Sequence, residues 1–390
     1  MPPLRLLSVY LGLAAGGFGA AAPASSTAPR FRPQTIDDAI SIGYGLAVAH
    51  VDGDGRDDVV LADAGQIVWY RNPDWEKHVI AEKLTERDHV CLAARDIDGD
   101  GRAELAVGAG WNPSDTNNSG AVFILQPQQG ITKRWAARPL PHDPTTHRMR
   151  WLRDLDGQPY LAVLPLHGKG NVQNQGAGVR FVGYRPPRDQ GGAWDTFELN
   201  TSLHATHNFD ARDGGDLLVA SHEGVYRLQE RTDGWHSQQL TRTAAGEVRM
   251  GRRADGSRFF VTIEPMHGHQ LVWYSWDNDN STADDSRRVL DESLVQGHAL
   301  ATGDLLGSGS DQIVVGWRGN TSGPATRVGL RLYDSTPTPA GDWPLLATID
   351  DNTMACEDLL LADLNADGRL DIIASGRSTR NVVIYWNEAP

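Results

Sequence analysis

Thirteen histidines are spread over 390 residues, and their spacing follows a rule. Short turns rich in Asp and Gly punctuate the chain, and six or seven residues before many of them stands an ionisable side chain. His89 precedes Asp96, His147 precedes Asp154, His298 precedes Asp304, and Cys356 with Glu357 precedes Asp363. Tyr44, His204 with His207, and Glu247 hold the same place before three other turns. A second set follows the apolar stretch after each turn: Trp111, His167, His222, Glu264, His267, His269, Trp317, Arg318 and Arg377. Imidazoles change charge near neutral pH and so transfer protons. Grouped with carboxylates they also suit zinc or a similar divalent ion. Arg148, Arg150 and Arg318 add cations able to hold a carboxylate or a developing enolate. A base, an electrophile and an acid together are what a β-elimination requires.

The turns carry chemistry of their own. Asp96, Asp98, Asp100 and Glu104 alternate along DIDGDGRAE, and Asp363, Asn365, Asp367 and Asp371 do so along DLNADGRLD. Alternating oxygens on a glycine-kinked loop suit calcium, although Asp and Gly also form turns with no ion at all. A third turn keeps Asp52, Asp54 and Asp58 but begins at His50. The expectation is structural calcium, if any, on the face opposite the histidines.

These residues need elements to position them, and the elements repeat. An apolar strand, an Asp/Gly turn and a second apolar strand recur as AVAHVDGDGRDDVVLA (47–62), AARDIDGDGRAELAVG (93–108), WLRDLDGQPYLAVL (151–164), FDARDGGDLLVAS (209–221), GRRADGSRFFVTI (251–263), ATGDLLGSGSDQIVVG (301–316) and LADLNADGRLDIIAS (361–375). Their turn centres lie 46, 58, 57, 42, 51 and 59 residues apart, the spacing of four-stranded propeller blades. A third strand follows each unit, and a fourth opens on Trp75, Trp135, Trp194, Trp235 or Trp343, with 286–293 serving the blade that lacks a Trp. The seventh blade runs out of chain after its third strand. FRPQTIDDAI (31–40) parallels WPLLATIDDN (343–352) and supplies the missing edge. The sequence therefore predicts an all-β, seven-bladed β-propeller closed by an N-terminal strand completing the last blade.

Bulk properties narrow the classes. Residues 1–22 read as a signal peptide, with Arg5, an apolar run and small residues at 20–24. Residues 23–390 then form a single propeller domain, secreted or periplasmic, with no membrane insertion expected. A net charge of −14 argues against a nucleic-acid partner. The two cysteines, Cys91 and Cys356, fall in non-adjacent repeats and are expected as free thiols. By position, nine histidines gather at one rim: 89, 147, 167, 204, 207, 222, 267, 269 and 298. A lone histidine at a strand end is usually a hydrogen-bonded structural residue; a ring of them is harder to explain that way.

With HVCLAARDIDGDG (89–101), GAGWNPSDTNNSGAVF (108–123), HRMRWLRD (147–154), PLHGKGN (165–171), HATHNF (204–209), EPMHG (264–268), GHAL (297–300) and SGRSTRNVVIYWNE (375–388), the chain resembles the FG-GAP/VCBS-repeat propellers. More narrowly it resembles the N-terminal propeller of the aldos-2-ulose (1,5-anhydro-D-fructose) dehydratases. The resemblance implies a carbon–oxygen lyase that dehydrates a keto-sugar with help from a divalent metal, zinc or magnesium. In that reading His147, His207, His167 and Arg150 are catalytic, and Trp111, His267, Arg318 and Arg377 bind the small sugar or glycan. His89, His298 and Glu357 hold the metal. Those dehydratases continue into cupin domains, so elimination without the later isomerisation is expected of this sequence. Two other readings stay open: a polysaccharide lyase eliminating across uronic acids, and a non-catalytic carbohydrate- or protein-binding propeller.

Overall fold

A computed structural model describes residues 28–390 except 129, 188–191, 212–214, 277–281, 321 and 389–390. The signal peptide expected at residues 1–22 lies outside the described residues. Seven four-stranded antiparallel sheets succeed one another, each a blade whose strands run outward in chain order. The innermost strands are Gly45–Ala49, Cys91–Arg95, Thr146–Arg153, Thr206–Ala211, Glu247–Arg252, Gly297–Gly303 and Cys356–Ala362. In the seventh sheet Phe31–Asp37 takes the outer edge beside Val382–Asn387, so both ends of the chain close the ring as the sequence predicts. No described helix is long and apolar enough to cross a membrane.

Blades hold together by what lies between them. One apolar cluster joins Val90, Ala106 and Val122 of blade two to Met149, Leu161 and Val182 of blade three, and similar clusters recur around the ring. The second strands read as unbroken apolar runs because neighbouring blades cover both of their faces. Within blade five Phe260 and Tyr274 stack at 4.8 Å; burying side chains of this size contributes roughly 1.5–3 kcal/mol each. Cys91 and Cys356 are buried free thiols in blades two and seven.

The closing strand is clasped at several points. Phe31 to Thr35 pair in register with Asn387 to Val383. The Gln34 side chain accepts from Trp386 Nε1 at 2.8 Å. Asp37 accepts from Tyr70 Oη at 2.5 Å and Lys77 Nζ at 2.7 Å, which ties blade seven to blade one. The link onward to the first inner strand threads over buried Asp63, whose carboxylate accepts the backbone N–H groups of Ser41, Ile42 and Gly43. Gly43 stands there at φ +71°, and a Cβ would meet Ile40 and Ser375 at under 3 Å.

Candidate functional site

The inner strands carry the site because of a repeated irregularity. In blades three, four, six and seven the pairing of first to second strand slips at the start of the inner strand. The slips fall between Thr146 and Arg148, Thr206 and Phe209, Gly297 and Ala299, and Cys356 and Asp358. Such a bulge leaves a residue unpaired and re-aims its side chain. The residues so released are His147, His207, His298 and Glu357. Blades one, two and five start their inner strands in regular register, and blade two brings no histidine to the group.

Three of the released residues and one loop residue meet at the axis. His207 lies with ring centroids 4.6 Å from His147, 4.7 Å from His267 and 5.1 Å from His298, and His267 and His298 stack at 5.0 Å. His267 arrives on the turn after cis-Pro265 with φ +53°. One ligand nitrogen from each of His207, His267 and His298 lies within 4.8 Å of the other two. The His207 and His267 Nε2 atoms are 2.9 Å apart.

The opposite ring nitrogens are tethered, which fixes the tautomers. His147 Nδ1 donates to the His207 carbonyl at 2.8 Å and His298 Nδ1 to the Glu357 carbonyl at 2.6 Å. His207 Nδ1 faces the Gly246 carbonyl at 3.1 Å and Glu247 Oε1 at 3.0 Å. Each latch reaches into the next blade, and each leaves Nε2 as the lone-pair nitrogen. Neutral imidazoles oriented by oxygen acceptors are the usual form of a metal-binding histidine. Burial, reinforced by the Arg148 or Arg318 charge, holds His147, His207 and His298 well below the ordinary imidazole pKa. Burial and the His207 and Arg318 charges take His267 down to about 2. Three nitrogen donors suit zinc, whereas magnesium demands oxygen ligands. Of the two metals expected from the sequence, the donor set fits zinc.

Around the trio, Trp111 stacks on His147 at 4.9 Å. Arg148 donates to His147 Nε2 at 3.2 Å. Arg318 spans Glu357 (3.0 and 3.2 Å) and His267 Nδ1 (3.4 Å), and Arg377 reaches Glu357 at 2.8 Å. Glu357 therefore sits between two guanidiniums beside the trio, where it orients Arg318.

Other residues singled out from sequence stand elsewhere. His89 is not brought to His298 and Glu357: its Nδ1 meets the Asp63 carbonyl and its Nε2 accepts from Leu84 N–H, so both nitrogens serve the fold. His167 bridges to Ala205, and its buried Nδ1 has no partner among the described residues. Arg150 points into the channel below, donating to the Phe209 carbonyl at 3.0 Å. His204 pairs with Glu223 at 2.9 Å. Asn208, Arg249 and Asp358 sit one step beyond the bulges or in the matching place of blade five, and the sequence reading passed over them. The signal was present in the doublets His147-Arg148, His207-Asn208 and Glu357-Asp358.

In the blade-two turn the carboxylates of Asp96, Asp98 and Glu104 come within 4.8 Å of one another. Burial, opposed by the Ile97 N–H and reinforced by the Asp98 and Asp100 charges, lifts Glu104 to about 7. Asp100 bonds the Arg102 N–H. In blade seven Asp363 accepts from Asp367 and Gly368 N–H, and Asn365 and Arg369 engage Asp367. Asp371 turns inward to Leu364 and Asn387 N–H. Both turns bond their own backbone, Asp96 accepting from Gly99 and Gly101 N–H as Asp363 does from Asp367 and Gly368; they differ in that blade two also brings three carboxylates together, while blade seven sets Arg369 on Asp367.

The family comparisons agree with this architecture. An FG-GAP-like repeat matches residues 50–107 and an FG-GAP repeat matches residues 92–125. The chain is a seven-bladed β-propeller that carries FG-GAP-like repeats over residues 50–125. No curated protein matches it by sequence. It is similar to a chain in the crystal structure of a mitotic checkpoint complex, with TM-score 0.58 and 14% identity over 98% of this chain and 99% of that one. It is also similar to a chain in the crystal structure of BBS1N in complex with ARL6DN, with TM-score 0.56 and 13% identity over 92% and 96%. At such identities the likeness is one of fold.

Proposed function

We propose that the histidine-lined mouth of the channel is the active site of a metal-assisted carbon–oxygen lyase acting on a keto-sugar such as 1,5-anhydro-D-fructose or an aldos-2-ulose. The observation that carries this reading is the convergence of one nitrogen each from His207, His267 and His298, with Nδ1 of His207 and of His298 tethered to acceptors in the next blade. A divalent ion held by those three would polarise the carbonyl beside the carbon that loses its proton. His147 is the base: its Nδ1–H is fixed on the His207 carbonyl, so Nε2 takes the proton. Burial keeps it neutral at pH 7, at some cost in basicity. Arg148, in contact with that same Nε2, faces the oxygen on which negative charge develops. As the C–H electrons form the new double bond, the β-hydroxyl departs with the proton that His147 has taken and leaves as water. Trp111 offers an aromatic wall for the sugar ring.

One observation favours a second substrate class. Arg148 makes no ion pair among the described residues, so it is free to neutralise a uronate carboxylate in a polysaccharide lyase. The test is direct. Purified protein is analysed for bound zinc and incubated with keto-sugars and with uronic polysaccharides, following the ultraviolet absorbance of an unsaturated product. His147→Ala should cost about 10²- to 10⁴-fold in rate with the fold retained. Zinc-loaded protein that forms no unsaturated product from either class refutes the enzyme and leaves a sugar- or protein-binding propeller.

A further inference from the structure

Beneath the histidine cluster the axial channel widens into a cavity of about 290 Å³. Its wall belongs to the positions that follow the cluster along the inner strands. Arg148 and Arg150 come from blade three, Arg249 from blade five, and Asn208 and Asp210 from blade four, with Asp358 from blade seven. The rest of the lining is mostly aliphatic, with Tyr44, Cys91, Met149 and Thr302 among it. Such a concentration of charge is unusual on a propeller axis that seven inner strands could have filled with apolar side chains.

The pairing of these charges is incomplete in one direction. Arg249 meets Glu247 at 3.3 Å and the Val248 carbonyl at 2.7 Å. Asp358 spends its oxygens on Leu46 and Leu359 N–H, and Asp210 accepts from Met250 N–H. Neither carboxylate comes within ion-pair distance of an arginine among the described residues. Arg148 and Arg150 have only neutral partners: His147, the His147 carbonyl and the Phe209 carbonyl. Arg150 is half-buried and borders the cavity. Burial lowers its pKa from the ordinary value, with the Arg249 charge acting in the same direction. A guanidinium desolvated in this way, with donors left over, is stabilised by an acceptor that carries negative charge.

We propose that this cavity is a binding site for a small carboxylate, held by Arg150 and Arg249 on one side and Asn208 on another, with a hydroxyl group of a sugar acid facing Asp210. The carboxylate takes the donors that the protein leaves unpaired, and Asp210 accepts from the hydroxyl, while Asp358 stands by as a like charge that opposes the ligand. The volume suits a single six-carbon acid. The site is separate from the histidine trio one layer above and does not depend on the activity proposed there.

The probe is D-gluconate, with D-sorbitol as its uncharged counterpart, added to metal-free protein at constant ionic strength. Thermal stability gives the apparent affinity, because a ligand bound only to the native state raises the melting temperature saturably. Gluconate should stabilise the wild type and sorbitol should not. Arg150→Met should weaken gluconate by about tenfold or more, the value of one charge-assisted hydrogen bond. Asp358→Asn keeps the acceptor for Leu46 N–H but removes a like charge, so it should tighten gluconate; a merely structural role would not strengthen binding. If Arg150→Met does not fold, Asp358→Asn decides alone. His267→Ala should keep gluconate binding whether or not it loses zinc, and zinc retention there would count against the metal trio only. No saturable gluconate effect, equal stabilisation by sorbitol, unchanged affinity in both channel variants, or loss of gluconate with His267→Ala overturns the proposal.

Discussion

Glu247→Gln probes the metal trio without touching a metal-donor atom. Glu247 is buried, and its Oε1 lies 3.0 Å from His207 Nδ1 while Oε2 accepts from Asn208 at 2.7 Å and faces Arg249 at 3.3 Å. The carboxylate fixes the His207 tautomer and makes Nε2 more electron-rich. Glutamine keeps the volume but has one oxygen for three donors. If its carbonyl serves His207, its amide confronts Asn208 and Arg249; if it flips, His207 loses its anchor to the side chain and keeps only the Gly246 carbonyl at 3.1 Å. Loss of such an outer partner typically weakens metal affinity 10- to 100-fold, about 1.4–2.7 kcal/mol. The assay is a zinc competition titration against a chromogenic chelator, paired with urea unfolding of the metal-free proteins. Zinc affinity within about threefold of wild type would refute the reasoning. So would an equal loss in a remote variant of equal instability, since the effect would then report on the fold and not on His207.

The closure predicts that Asp37→Ala, which strands the buried Tyr70 hydroxyl and returns the Lys77 ammonium to water, costs about 2 kcal/mol in urea unfolding, and that removing residues 31–37 abolishes the cooperative transition. A loss below about 0.5 kcal/mol for Asp37→Ala would show the clasp to be dispensable. Chelation should lower the melting temperature through the blade-two turn, and Asp98→Ala should reproduce the loss while Asn365→Ala does not. No response to chelator or to Asp98→Ala would show both turns to be ion-free. For pH the sign follows from folded pKa values below the unfolded value: His147, His207 and His298 stay neutral in the folded state while the unfolded chain takes up protons. Metal-free protein should therefore lose about 1.4 kcal/mol per pH unit per histidine as pH falls below about 6.5. Glu104, raised to about 7, works in the opposite direction, so the decisive measurement is the difference between wild type and His298→Gln, whose slope should be shallower. Parallel slopes would sink this account.

Much of the architecture was legible because a propeller repeats its instructions. Seven turn phrases at blade spacing, third strands such as Val382–Asn387 and an N-terminal segment matching a fourth strand were sufficient to count the blades and close the ring. Strand boundaries followed from the apolar runs, since the second and third strands have neighbours on both faces and tolerate few polar residues. The turn carboxylates were legible as chemistry but not as outcome. Whether an Asp serves an ion or the backbone depends on contacts such as Arg369 with Asp367, made between residues whose shared position no spacing rule reveals.

The site was legible as a set and not as an assignment, and the physical cause is the bulge. Counting back six or seven residues from a turn leaves the direction of a side chain undecided, because one residue of register reverses its face. In blades three, four, six and seven the slip at the strand start resolves that ambiguity in favour of the axis for His147, His207, His298 and Glu357. Blade two has the same apparent spacing but regular pairing from Cys91 onward, and His89 turns to the Asp63 carbonyl instead. Each bulge also means that the residue after the released one faces the channel too, so that Arg148, Asn208 and Asp358 form a second layer directly beneath the first. A period-two rule would have sent that residue into a neighbouring blade. One local irregularity, used four times, therefore places His147, two of the three imidazoles of the trio, and part of the charged wall below them. Restoring regular register in blade six by deleting Gly297 should withdraw His298 from the trio and disturb the wall near Thr302 together.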